Sequence, residues 1–259
     1  MNKDLRKKIV NLICNAGEGH IPSTFSILDI VVSLYEKILR YDSNNPNWEN
    51  RDYFILSKGH GGLALFVVLN KYGFISDEIL NSYSKSGGIL GGHPDTTKVP
   101  GVEASTGSLG HGLPYSLGVA LGIKIKKKHN KVITLIGDGE SQEGTVWEAA
   151  QVAVNRKLGN LCVIVDNNQS AAQLMPIQDP KKRWEAFGWN VFEVGGHDSV
   201  ALIDTINSIN FQGETPTIII ANTIKGKGVS FLEGHGQWHH KIPNSEEYQL
   251  IMKELDLND

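Results

Sequence analysis

Two short segments of the 259-residue chain carry the residue types best suited to chemistry, Gly137-Asp138-Gly139 and Asp166-Asn167-Asn168. Each directly follows an apolar, β-branched run, 132–136 and 161–165. A helical pattern over 143–155 follows the first, so its backbone amides are expected near a helix N-terminus, where free N–H groups and the helix dipole favour an anion. Asp138 would bring a carboxylate to the same place. A negative side chain beside an anion makes sense when a cation bridges them, and a hard divalent ion such as Mg²⁺ takes oxygen ligands from protein and phosphate together. Asn168 can supply an amide oxygen from the end of the next strand, and a nearby backbone carbonyl a third ligand.

The surrounding pattern must place these segments together. Leu5, Ile9, Leu12, Ile13 and Ala16, then Ile27, Ile30, Val31, Leu34 and Ile38, are spaced as two helices, separated by Gly17-Glu18-Gly19-His20-Ile21-Pro22. A short apolar run at 53–56 ends in Ser57-Lys58-Gly59-His60-Gly61-Gly62, before a helix to about 72 and another over 77–85. Residues 86–108 form a long glycine- and proline-rich passage that reads as a site loop. A helical stretch over 109–127 is interrupted by Gly110, Gly112, Gly118, Ala120 and Gly122, which predicts close backbone packing against a neighbour. Strand-like runs at 132–136, 161–165 and 217–221, with a shorter one at 191–194, alternate with helical patterns. This predicts an α/β fold, a doubly wound, mostly parallel sheet flanked by helices, with ligands beyond the carboxyl ends of its strands. We expect a single domain over 1–259, closing with a loop and helix over about 223–259.

Here the sequence resembles the transketolase family. Asp138 and the Asn167-Asn168 pair stand as in the thiamine-diphosphate motif, and four more segments match in order: Gly19-His20-Ile21-Pro22-Ser23, Leu56-Ser57-Lys58-Gly59-His60, Gly91-Gly92-His93-Pro94 and Thr106-Gly107-Ser108-Leu109-Gly110-His111-Gly112. The resemblance covers essentially the whole chain. It implies thiamine diphosphate as cofactor with Mg²⁺ (or Ca²⁺ or Mn²⁺), the metal held by Asp138, Asn168 and the carbonyl of Ser170. It implies that His20 and His93 line the substrate funnel as catalytic histidines and that His60 contacts the diphosphate. Gly107, Ser108 and Leu109 would lie against the cofactor, joined by Gly139 and Asn168, with Glu143 near cofactor and subunit interface. Glu143 reads equally as a first-turn helix carboxylate. Two departures stand out: His111 replaces a common glutamine, and Ser108 a proline. A further family histidine is expected after Gly226-Lys227-Gly228, and His235 is the candidate, with His239 and His240 close by; an ordinary loop histidine is the alternative there.

In the family, a glutamate in a second, C-terminal domain activates the cofactor by bonding its pyrimidine ring. No length remains here for that pyrimidine domain. The expectation is therefore a split enzyme, α2β2, in which this chain pairs with a C-terminal subunit carrying the pyrimidine domain and moves a two-carbon ketol unit from a ketose (phosphate) to an aldose (phosphate). The alternatives are the α subunit of a thiamine-diphosphate 2-oxo acid dehydrogenase, whose asparagine turn usually reads Asn-Gln-Gly, or a non-catalytic binding subunit. A formal net charge of -3 gives no reason to expect nucleic acid. The absence of an apolar run near ~18 residues gives none to expect a membrane, and the charged N-terminal segment is unlike a signal, so the cytoplasm is the expected location. Cys14 and Cys162 lack CxxC spacing and sit in apolar patterns, as buried free thiols would.

Overall fold

The computed structural model describes residues 2–172, 174–176, 178–234, 236, 238 and 240–257. Helix α1 (Lys3–Ala16) stops where Gly17 turns left-handed, and after Gly19, at φ 141°, α2 begins. α2 (Ile21–Ser33) starts six residues before the first apolar mark of its spacing, because Pro22 fits the first turn, where its missing N–H has no intrahelical partner anyway. Every residue of α2 is buried, the polar Ser23, Thr24, Ser26, Asp29 and Ser33 among them. A wider π turn, Leu34–Ile38, continues it.

Strand β1 (Tyr53–Leu56) leads through a tight turn, Gly59–Gly61, into α3 (Gly62–Lys71). α4 (Asp77–Asn81) is shorter than its pattern: the Ser82 hydroxyl donates to the Ile79 carbonyl and Ser84 turns left-handed. α5 (Gly112–Ile125) starts later than expected, since Gly110 has φ 82° and cannot lie in a helix. There follow β2 (Val132–Gly137), α6 (Gly144–Asn155), β3 (Leu161–Asn167), α7 (Pro180–Ala186), β4 (Asn190–Gly195), α8 (Ser199–Ser208), β5 (Thr217–Asn222) and α9 (Ser245–Leu257). The hydrophobic spacing does not single out α7 and α8; each begins at an aspartate whose carboxylate accepts an N–H of the first turn, Asp179 from Lys182 and Asp198 from Ala201.

The strands are all parallel, in the order β1-β2-β3-β5-β4. Period-two alternation splits the core across the sheet. Ile133, Leu135, Cys162, Ile164 and Ile219 pack with α1, α2 and α3, whereas Val132, Ile136, Val163, Val165 and Ile218 pack with α5 and α6. Both faces are covered, hence the uninterrupted apolar runs of β2 and β3. The glycines of α5 divide. A Cβ at Gly112 would overlap Ser57, as close packing requires, but Gly118 and Gly122 face open space, correcting the sequence expectation there. Cys162 is fully buried and burial pushes its thiol up to about 12; Cys14 is partly exposed. Among the described residues no helix is long and apolar enough to cross a membrane.

Candidate active site

β2 and β3 pair in register up to Gly137 and Asp166, so Asp138 and Asn168 leave neighbouring strands at the same carboxyl edge. Gln169, left-handed at φ 63°, then turns the chain back. The two amides after it meet both predicted ligands: Ser170 N donates to Asn168 Oδ1 (3.0 Å) and Ala171 N to Asp138 Oδ2 (3.0 Å). The Asn168 NH₂ points the other way, to Asp166 Oδ2 (3.0 Å) and Ser26 Oγ (3.1 Å). Asp138 and Asn168 are 8% and 5% exposed. Beside them the Ser170 hydroxyl is buried without a hydrogen-bond partner among the described residues. One carboxylate, one amide oxygen and an unsatisfied hydroxyl suit a hard divalent cation completed by phosphate oxygens. They would not suffice as a cage of side chains: among the described residues no group of three or more His, Cys, Asp or Glu could hold a metal.

Cations line the same edge. Lys58, at the end of β1, is 8% exposed and ion-paired with the fully buried Asp166. Lys225, just beyond β5, is equally buried; burial, then the neighbouring Lys58 charge, pull its ammonium below the usual lysine range, against the pull of Asp138 and Asp166. Two lysines thus stand beside two acids at this edge. Glu140, 2% exposed, ties the backbone around them: it accepts from the Ser57 hydroxyl, from Gly110 N (3.0 Å) and from Gly137 N (3.0 Å), while Ser57 Oγ accepts from Gly112 N (3.0 Å). Burial pushes the Glu140 carboxyl up, and these hydrogen bonds hold it back.

The predicted histidines form a row. Ring centres are 5.2 Å apart between His20 and His60 and 5.4 Å between His60 and His93. His240 joins at the other end, 4.7 Å from His20. Gly107 makes this possible from the glycine-rich loop: at φ 158°, a Cβ there would stand 3.1 Å from His93 Cδ2, and one on Gly59 would stand 2.8 Å from the Gly107 backbone. Imidazole and loop therefore interlock. Ser108 is exposed, Leu109 half-buried, and Leu109 O lies 3.0 Å from Nδ1 of the exposed His111. Gly139 has an ordinary φ of -64°, so its small size, against Ala171, matters rather than its freedom. Glu143 is exposed at the N-cap of α6 and makes no side-chain cap. His235 and His239 lie outside the described residues.

Residues 1–258 match the family described as transketolase, thiamine diphosphate binding domain. The chain belongs to the transketolase family. It is 43% identical over 259 residues to an apulose-4-phosphate transketolase subunit of Actinobacillus succinogenes, covering 98% of this chain and 94% of that one. It is 35% identical to a 6-deoxy-6-sulfo-D-fructose transketolase subunit of Clostridium sp., over 97% and 94% of the two chains. The transketolase of Campylobacter jejuni superposes with a TM-score of 0.89 at 28% identity, covering 97% of this chain but 41% of that one. The chain thus spans about two-fifths of the solved transketolases it resembles, and nearly all of relatives named as subunits. Sequence reasoning named the transketolase histidines and Asp138 but gave no role to Asp166, Glu140, Lys225 or His240. An acid near the end of an otherwise apolar strand was the available signal for Asp166, and closeness to the expected family histidine the signal for His240; Glu140 gave none.

Proposed function

We propose that this chain is the thiamine-diphosphate-binding subunit of a split transketolase, transferring a two-carbon ketol unit from a ketose phosphate to an aldose phosphate with a C-terminal partner subunit in an α2β2 assembly. The observation that carries the reading is the convergence of Asp138 and Asn168 on the Ser170–Ala171 amides, at a strand edge that also carries the buried Lys58 and Lys225, in a chain that also gathers a row of imidazoles. Asp138, Asn168 and the Ser170 carbonyl would hold Mg²⁺, and Lys58, Lys225 and His60 would face the diphosphate. When bound, the cofactor supplies the carbon nucleophile that this chemistry requires. His20, His93 and His240 would donate hydrogen bonds to sugar oxygens and move protons there. The Gly107–Leu109 loop keeps the backbone close on one side.

Exposed apolar side chains on α5 and α6, Tyr115 (49%), Ile125 (72%) and Val152 (41%), support a covering chain. Relatives named for apulose 4-phosphate and for 6-deoxy-6-sulfo-D-fructose make branched or modified sugars the first donors to try. The lone chain should show no ketol transfer. Mixed with its partner it should show transfer that depends on thiamine diphosphate and Mg²⁺; full activity alone would sink the split reading. Asp138→Ala should abolish cofactor-dependent thermal stabilisation.

A further inference from the structure

Asp166 is fully buried at the last rung between β2 and β3 and gathers donors from four segments. Its Oδ1 accepts from Ser26 Oγ of α2 (2.6 Å) and from the Thr223 hydroxyl just after β5. Its Oδ2 accepts from the Lys58 ammonium and from Asn168 Nδ2 (3.0 Å). The last contact has a consequence beyond packing. A carboxylate flanked by four donors can only accept, and the Ser170 N–H on the other side of Asn168 can only donate. The amide between them has one satisfied orientation: NH₂ toward Asp166 and Ser26, oxygen toward Ser170. Turned over, it would set oxygen against carboxylate and NH₂ against N–H.

We propose that Asp166 is the positioning residue that fixes the Asn168 amide with its oxygen toward the metal, so that the site is preorganised before cofactor arrives. This rests on the metal reading proposed above. Without the carboxylate, the Ser26 hydroxyl is released from Asp166 and can donate instead to the Asn168 oxygen. The amide can then turn and present an NH₂ group, which repels a cation. Groups that orient a metal ligand in this way carry a large share of metal affinity.

The test is a double-mutant cycle on the full chain assembled with its partner and saturated with thiamine diphosphate, titrated with Mn²⁺ by electron paramagnetic resonance. Asp166→Ala is expected to weaken Mn²⁺ binding roughly 10–100-fold. In the Asn168→Ala background the same change is expected to add little, because the group it acts through is gone. A merely structural role for the Lys58–Asp166 pair predicts the reverse: additive effects, or an altered melting temperature with unaltered Mn²⁺ affinity. Either result overturns the proposal. If Asp166→Ala does not fold, the isosteric Asp166→Asn takes its place in the cycle, and additivity with Asn168→Ala is again the overturning result. Asp138→Ala separates the two levels. Retained Mn²⁺ affinity in that variant brings down the metal reading itself, whereas loss there with no loss in the Asp166 variant brings down only the role of Asp166.

Discussion

The imidazole of His240 sits 4.7 Å, centre to centre, from that of His20, extending to four members a row that ends at His93. His240 is exposed where His20 is half-buried, so it stands at the mouth of the row. In the reconstituted enzyme, His240→Ala should raise KM for the donor ketose roughly 3–10-fold, the size of one hydrogen bond to substrate, with a smaller change in kcat. Steady-state kinetics decide this, and unchanged constants would make His240 an ordinary loop residue.

Lys225 should report on the diphosphate. Its ammonium is held below the usual lysine range by burial and by Lys58, with Asp138 and Asp166 opposing. An anion prefers the protonated form, so thiamine diphosphate affinity should fall as pH rises, starting below the ordinary lysine value of about 10.4. Lys225→Arg should flatten that fall and Lys225→Ala should weaken binding about tenfold near pH 7. Fluorescence titrations between pH 7 and pH 10 give the comparison; identical profiles for the unaltered and arginine proteins would count against a role for Lys225.

A pH-dependent stability term should come from Asp29. Burial pushes its carboxyl up, but hydrogen bonds from His197 and Arg6, with the charge of Arg6, outweigh this and hold it well below the usual carboxylate range. A depressed folded value stabilises above the unfolded one and is lost as pH falls through the folded value. Asp29→Asn leaves the fully buried Arg6 without its counter-ion, at a cost of roughly 3 kcal/mol at neutral pH. Denaturant melts should show that gap steady at neutral pH and narrowing below roughly pH 4. A gap that persists unchanged at acid pH would refute the assignment.

Two glycines of α5 should respond oppositely to alanine. At Gly112 the new methyl would overlap Ser57, whose hydroxyl bonds Glu140, so a loss of about 1–3 kcal/mol and weaker cofactor binding are expected. At Gly118 nothing lies within 4 Å, and the isolated chain should gain up to about 1 kcal/mol from helix propensity. Melting of both variants settles it, with equal effects as the contrary outcome.

The sheet and the turns that carry Asp138 and Asn168 were legible because β2 and β3 are buried on both faces, which forces apolar runs and leaves their polar ends conspicuous. His20, His60 and His93 were legible only through family segments, since a histidine beside glycine has no chemistry of its own. Helix ends were misplaced where a single glycine or a hydroxyl cap decides them, as at Gly110 and Ser82. Asp166 and Glu140 escaped because most of their partners lie far along the chain, beyond any local window.

That distance has a consequence for how the protein comes to exist. Asp166 meets Ser26, Lys58 and Thr223 across separations of 140, 108 and 57 residues. Contacts of such range form late, after loop-closure entropy has been overcome. A nascent chain can bury much of α1, α2 and α3 before β5 is made, yet it cannot complete the ring of donors around Asp166 until Thr223 is in place. On the role proposed for Asp166, cofactor competence therefore arrives only once β5 and Thr223 are in place.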